Sequence, residues 1–338
     1  MILILLLISF NLYPQWALWA NPSLPVGNAD NGVGLWAGQV MVSGNYNFQY
    51  IDWTHGAIGN ENFEHTGNLV TNVISPTLTI GLTNYVNFSY QQIIGIRSMD
   101  WMRNEDSAHH RDEHSLEDFL NANGSAIGDA TFNLKYLLTN TGNTTGSRIF
   151  LGAGLVVPSN SVLTSNPFSQ NDDGTYEDHR HFSLSDGCYK SNFELQFYIK
   201  NMTKKRYIPT FYGFTLNYKS PLNESKYGYK ASKTMVGVSS ILFATKLKKT
   251  WQPKGLSLGL AFVNTSDAFW DGQKAPNTKS KFLMPTIGLI FSDKDKGSLS
   301  INLKYVKDKS LIPENAPDAN IKSYELSIGY RKTLKYFI

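Results

Sequence analysis

The sequence predicts an all-β fold: a transmembrane, antiparallel, up-and-down β-barrel of about twelve strands. Three observations predict it, namely period-two alternation of apolar and polar residues, unusually long alternating segments, and connections that alternate between short and long. Composition agrees, because charged residues make up 17% of the 338 residues, against roughly 25% in soluble domains. A barrel whose side chains alternate between lipid and a polar lumen suits such a composition.

Residues 1–20 are predicted to be a secretory signal peptide, and 21–338 the barrel. The run from Ile2 to Ile8 is entirely apolar, and Ala17 and Ala20 are small residues suited to cleavage. The run is shorter than the roughly 20 residues that a spanning helix needs. The segment departs from the usual pattern because no Lys or Arg stands at its start. We expect an integral protein of the bacterial outer membrane.

Alternation is clearest near the C-terminus. In residues 298–305 the odd positions are Leu, Ile, Leu and Tyr, and the even positions are Ser, Ser, Asn and Lys. Segments 193–200 and 323–331 alternate in the same way, and so does 130–139, apart from Leu137. Successive side chains of an extended chain point to opposite faces, so each segment has one apolar and one polar face.

A soluble sandwich also alternates, but its strands are usually about 5–6 residues long. Segments such as 66–82 and 232–247 are much longer. Aromatic residues recur on the apolar faces of 46–50 and 212–218, as in the aromatic girdle at a membrane interface. Length and aromatic placement therefore favour the membrane barrel.

Loop length sorts the connections into two sets. Strands are predicted at 34–52, 67–83, 85–99, 128–140, 147–157, 188–201, 206–219, 232–247, 254–264, 280–292, 297–307 and 321–335. The connections at 83–84, 141–146, 202–205, 248–253 and 293–296 are short. The long connections, predicted to be external loops, are 53–66, 100–127, 158–187, 220–231, 265–279 and 308–320. Strict alternation indicates tight periplasmic turns and large external loops. Because unpaired backbone is expensive in lipid, the first strand must pair with the last.

The polar faces supply candidate pore-lining residues. They are Lys135, Glu194, Gln196, Lys200, Asn217, Lys219, Asn302, Lys304, Glu325 and Arg331. Five cations against two anions would favour anionic solutes. The alternative is a narrow lumen filled by paired polar side chains, since unpaired buried charges are expensive. A plug of this kind is compatible with a narrow remaining path.

Loop 100–127 is the most distinctive connection. Ser115 and Asp118 resemble a capping box, which predicts a short helix over Leu116, Phe119 and Leu120. Such a helix can fold inward as a constriction or lid. Histidines and carboxylates at 109–114 and 178–181 are residue types that bind transition metals. Their spacing matches no recognised site, so we expect no metal and no cofactor.

Several segments resemble bacterial outer-membrane channels of the phenol-degradation meta-pathway type. Gly128-Asp129 followed by the strand to Lys135-Tyr136 is similar to that family's signature, and 152–158 is similar to its next strand. Gly81-Leu82-Thr83-Asn84 resembles its early turn. Ser159-Asn160 stands where the family has Thr-Gly. The resemblance covers about residues 68 to 160. It implies passive uptake of small, hydrophobic or aromatic molecules.

Alternatives from other classes stay open. The barrel could bind a ligand or partner on its external loops and conduct little. An outer-membrane lipid hydrolase needs a Ser beside a His, and the close pairs here are His114-Ser115 and 179–183. We expect no enzyme, no binding of nucleic acid at a net charge of +4, and no reactive thiol at Cys188. The expected partners of the monomer are outer-membrane lipid, small solutes and the barrel assembly machinery.

Overall fold

The computed structural model describes a closed barrel. It describes residues 34–55, 63–102, 112, 114–123, 125–141, 145–160, 162, 164, 166, 172, 183–201, 208–245, 247, 249, 252–275, 278–293, 296–307 and 320–334. The predicted signal peptide lies outside these ranges. Within them, no helix is both long and apolar enough to span a membrane.

The barrel has twelve antiparallel strands. They are β1 (Val40–His55), β2 (His65–Gly81), β3 (Val86–Trp101), β4 (Ile127–Asn140), β5 (Gly146–Val157), β6 (Lys190–Lys200), β7 (Phe211–Pro221), β9 (Thr234–Ala244), β10 (Gly255–Thr265), β13 (Ser280–Asp293), β14 (Gly297–Lys307) and β15 (Asn320–Leu334). The external loops hold a helix, α1 (Leu116–Asn123), and three short strands, β8 (Tyr229–Lys230), β11 (Phe269–Trp270) and β12 (Gln273–Lys274). The predicted fold class and strand number are confirmed.

The barrel closes between its first and last strands, as predicted. β1 pairs with β15 in a register that sets Ser43 opposite Arg331 and Gln49 opposite Glu325. On its other edge, β1 pairs with β2 along its whole length. No edge of the sheet is left unpaired, which is the condition for placing a sheet in hydrocarbon. The fold is that of an integral outer-membrane barrel.

The two faces of the wall differ as the alternation predicts. On β14, Leu303 is 56% exposed whereas its neighbour Lys304 is 4% exposed. The outer face carries exposed Leu, Ile, Phe and Tyr side chains along most strands, and the inner face carries Ser, Thr, Asn and charged side chains. Lipid would cover the outer band, and the polar groups are left to the interior.

The chain enters β1 later than predicted, at Val40 rather than residue 34. Gly38 has a φ of 78°, a backbone conformation that is easy only for glycine. It turns the chain and donates to the Gly81 carbonyl at 2.8 Å. Leu35 is 2% exposed and is therefore packed at the periplasmic end rather than facing lipid as a strand residue.

Candidate solute pathway inside the barrel

All of the predicted pore-lining residues lie on the inward side of their strands. The registers set Lys135 opposite Gly152, and Gly152 opposite Glu194, and directly opposed residues share a face. Lys135, Gln196, Lys304 and Glu325 are buried, Lys200 at the end of β6 is exposed, and the remaining members are half-buried: Glu194, Asn217, Lys219, Asn302 and Arg331. Their role in lining a solute path stays a prediction.

The best-defined inward charges are an ion pair. Lys304 Nζ lies 2.6 Å from Glu325 Oε1, and the two side chains are 1% and 6% exposed. They are direct neighbours across β14 and β15. Desolvation makes each charge expensive alone, so pairing allows both inside the wall. The pair removes one cation and one anion from the candidate set, so the excess of cations on which the expected anion preference depends is unchanged.

A ladder of hydrogen-bonded asparagine side chains runs along the inner face of the barrel from β4 to β7. Asn192 Nδ2 donates to Asn133 Oδ1 at 2.8 Å, and Asn217 Nδ2 donates to Asn192 Oδ1 at 2.9 Å. The first bond passes over β5 at Gly154, where an added Cβ would overlap the Asn133 side chain. Glycine at this position therefore leaves room for polar groups of next-neighbour strands to meet, and the ladder fixes their orientation.

A second charge cluster ties an external loop to the inner wall. Lys190 Nζ lies 2.5 Å from Asp186 Oδ2 and 3.9 Å from Asp129 Oδ2. Asp186 belongs to the loop between β5 and β6, and the fully buried Arg97 of β3 also attracts it. Sequence reasoning missed Arg97, Asp186 and Lys190, because their meeting depends on the path of that loop through the barrel.

The Gly128-Asp129 dipeptide has a structural role at the same place. An added Cβ at Gly128 would lie 2.8 Å from the Leu184 carbonyl oxygen and 2.9 Å from Ile93 Cγ2. Asp129 Oδ1 accepts from the Ser159 backbone N–H at 3.3 Å. Gly128 thus leaves room for the loop between β5 and β6, and Asp129 contacts residues at both ends of that loop.

The external end of the lumen is apolar. An external apolar cluster is formed by inward residues of β1 to β3 together with one residue each from α1 and the β5–β6 loop: Ile51, Trp53, Leu69, Val73, Met99, Trp101, Phe119 and Leu184. The rings of Trp53 and Trp101 stack with centroids 6.1 Å apart. Phe119 and Leu184 are both 0% exposed. Two external loops therefore fold inward and cover this side of the lumen.

The predicted capping box starts α1. Ser115 Oγ donates to Asp118 Oδ2 at 2.7 Å, and the Asp118 N–H donates to Ser115 Oγ at 3.0 Å. The Ser115 hydroxyl bond lowers the pKa of the Asp118 carboxyl below its ordinary value. The helix begins at Leu116, so the expected short helix on this loop is confirmed, and it turns Phe119 toward the lumen.

The remaining loops form an outer sheet of β8, β11 and β12. Its apolar side packs around Cys188, with Tyr229 and Trp270 at a centroid distance of 4.8 Å. Cys188 is 0% exposed, and its Sγ donates to the Tyr229 carbonyl at 3.3 Å. Burial raises the pKa of the Cys188 thiol above its ordinary value. A buried thiol of this kind is inert.

One side-chain group in the described residues has donors suited to a metal, namely Asp100, Asp112 and His114. His114 Nδ1 lies 2.7 Å from Asp100, whereas its Nε2 lies 3.7 Å from Asp112. The two carboxylates face different ring nitrogens and all three groups are about half exposed or more, so they make exposed polar contacts between the end of β3 and the loop that follows it. The histidines at 109, 110, 179 and 181 lie outside the described residues.

A cavity of about 390 Å³ opens inside the barrel near the short turns. We call it the lumenal cavity. It lies against the inner faces of β6, β7, β9, β10, β13, β14 and β15, and two predicted pore-lining residues, Asn302 and Arg331, are among its walls. Hydroxyl groups, aliphatic chains and the aromatic pair Tyr198 and Phe211 also line it. Its size is that of a small-molecule site.

A scan against models of known protein families finds no match, and a search of curated proteins also finds none. Among solved structures, the chain is similar to the COG4313 outer membrane channel from Pseudomonas putida F1, with a TM-score of 0.56 and 12% identity over 91% of this chain and 100% of that one. The toluene transporter TodX from Pseudomonas putida gives a TM-score of 0.34 and 9% identity over 95% of both chains. The first likeness shows a shared fold.

Proposed function

We propose that this barrel is a passive outer-membrane channel for small, hydrophobic or aromatic molecules. The lumenal cavity carries the proposal. A closed barrel does not need an open interior to be stable, yet a space of about 390 Å³ remains inside this one. Its lining mixes hydroxyls with aromatic and aliphatic groups. Weak contacts of both kinds suit a solute that must bind and also leave.

The fold comparison supports the same reading. The solved structure that shares this fold is described as an outer membrane channel. The external apolar cluster adds a second support, because its side chains make this side of the external mouth apolar.

Swelling of proteoliposomes tests the proposal. Vesicles containing the protein should swell in a small neutral sugar faster than protein-free vesicles. Ser240→Trp should slow swelling, because Ser240 lines the lumenal cavity. Ser239→Trp is the matched control, since Ser239 is the next residue of β9 and is exposed on the outer face. Equal swelling rates for the two variants would contradict the proposed path.

A surface barrel that binds a ligand and conducts little is the second candidate. The packing of the external loops favours it, since α1 contributes to the external apolar cluster and the outer sheet packs around Cys188. The candidates separate in the same vesicles: absence of swelling in every solute, from a protein that is folded, would support the binding role over the channel.

We propose no catalytic role. The Ser115 hydroxyl donates to Asp118, so it is committed to capping α1 and not to activation by His114. Ser183, the other candidate nucleophile, is buried. Release of fatty acid from phospholipid vesicles that is lost on Ser183→Ala would overturn this proposal.

A further inference from the structure

Three lysines lie together on the outer face of the barrel, at its external end. Lys233 directly precedes β9, Lys279 directly precedes β13, and Lys281 is the second residue of β13. All three are exposed, whereas their neighbours Thr234 and Ser280 are 7% and 1% exposed. Because successive side chains of an extended chain alternate between faces, the buried neighbours point into the barrel and the lysines point outward. We call these three lysines the rim patch.

Strand β10 lies between the two strands that carry the rim patch. Asn264 of β10 pairs with Lys281 on one side and with Met235, two residues after Lys233, on the other. The Ser266 backbone N–H donates to the Lys233 carbonyl at 2.9 Å. Neighbouring strands lie about 4.8 Å apart, so the backbones of β9 and β13 are about 10 Å from each other across β10. The three lysines therefore form one patch, with only uncharged residues between them.

The charge of the rim patch is not compensated by the residues that the structure describes. None of its three ammonium groups forms an ion pair with a described carboxylate. Other lysines of the same end are paired. Lys274 lies 3.0 Å from Asp267, and Lys322, on the outer face of β15, lies 3.7 Å from Asp52. The patch therefore presents its positive charge to whatever surrounds the barrel at this height.

The height of the rim patch matches the headgroups of the outer leaflet. Below Lys281, the outward residues of β13 from Leu283 to Phe291 are all apolar, and Leu283 is 52% exposed. This stretch is about 27 Å long at about 3.4 Å per residue, and a strand tilt of about 40° reduces its height to roughly 20 Å. The apolar band of an outer-membrane barrel is about 25 Å tall. Lys281 therefore lies at the upper boundary of the hydrocarbon.

We infer that the rim patch binds the phosphate groups of a phosphorylated lipid in the outer leaflet, whose acyl chains lie along the apolar wall below Lys281. A lysine ammonium is a compact charge that binds phosphate, and clusters of basic side chains beside a membrane bind anionic headgroups. An acidic protein segment would use the charge alone, whereas a lipid uses both the charge and the wall directly below it. The site is on the outside of the barrel, so the inference is independent of the proposed channel function.

Lipid titration of the folded protein in a zwitterionic detergent, followed by native mass spectrometry, tests the site with bisphosphorylated lipid A as the probe. Lys281→Gln should weaken binding by about fivefold, and substituting all three lysines of the rim patch by Gln should weaken it by more than about tenfold. Lys332→Gln is the matched control for Lys281→Gln. It removes the same charge from an exposed residue on the outer face near the opposite end of the barrel, and should leave the affinity unchanged.

Lipid A without its phosphate groups separates recognition of phosphate from contact with the acyl chains, and should bind the wild type and the triple variant equally weakly. The substituted side chains are exposed, so the variants should fold, and the gel migration of unheated protein checks this. Equal affinity of the wild type and the triple variant for bisphosphorylated lipid A would overturn the inference. So would inorganic phosphate that binds the wild type as tightly as the lipid does, because the patch would then be a site for the free ion.

Discussion

Charged side chains inside the wall depend on their immediate partners. Lys304 and Glu325 are almost fully buried and in contact, so each compensates the desolvation of the other. Removing one partner leaves an uncompensated charge, whereas removing both leaves an uncharged wall. Substituting one member of the pair should therefore destabilise the barrel more than substituting both.

Lys304→Met alone should lower the free energy of unfolding by about 3–5 kcal/mol, because Glu325 would stay buried without its cation. The double variant with Glu325→Met should recover most of that loss. Denaturant titration of the protein in lipid vesicles measures both values. Equal losses in the single and double variants would show that the pair contributes no specific compensation.

The same new charge should destabilise the barrel to different degrees at two neighbouring residues of β14. Leu303→Arg places a cation on the outer, lipid-facing side, where the expected cost is about 2–4 kcal/mol at the bilayer midplane. Asn302→Arg faces the lumenal cavity and should cost less. The same vesicle titration compares them, and equal costs at the two positions would mean that the assigned face of β14 is wrong.

Alternation in the sequence was sufficient to place these two residues on opposite faces. It was not sufficient to pair Lys304 with Glu325, because the pairing depends on the register between β14 and β15. Arg331 shows the same limit. Its inward face was predictable, whereas its place in the wall of the lumenal cavity depends on seven strands that the barrel brings together.

Helix α1 acts as a cover over one side of the external mouth. Phe119 is its buried contact, so Phe119→Ala should loosen the cover, and we expect a larger or more often open conductance. Leu120→Ala is the control, because Leu120 lies on the same helix and is 36% exposed. Single-channel recording compares the two, and indistinguishable currents would show that α1 does not restrict the path.

The outer sheet should protect Cys188 from chemical labelling. Because its thiol pKa is raised by burial, the thiolate fraction at a given pH is lower than for an ordinary cysteine, and labelling should rise only at higher pH. Trp270→Ala should speed labelling by a maleimide, since Trp270 packs in the same cluster. Trp36→Ala, at a tryptophan that is 65% exposed, should not. Fast labelling of the wild type would contradict this packing.

The elements were predictable to different degrees. The capping residues Ser115 and Asp118 were enough to predict α1. The outer sheet was not predicted, because β8, β11 and β12 are two residues long and show no alternation. The external apolar cluster was not predicted either, because Trp53 and Trp101 were assigned to the external loops 53–66 and 100–127, whereas they lie in β1 and β3.

At the scale of the whole molecule, loop lengths and the need for closure predicted the architecture. Each predicted strand corresponds to a barrel strand, and the first meets the last along β1 and β15. The late start of β1 has a local cause in the turn at Gly38. The pattern did not predict how far the lumen is filled. The filling depends on external loops whose residues Phe119, Leu184 and Asp186 enter the lumen.

The central claim is that this closed barrel conducts small solutes through the space beside β9. Current across a planar lipid bilayer containing the purified protein tests it most directly. We predict discrete current steps that Ser240→Trp reduces and Ser239→Trp leaves unchanged. Protein that is folded and inserted but gives no current steps at any applied voltage would contradict the claim.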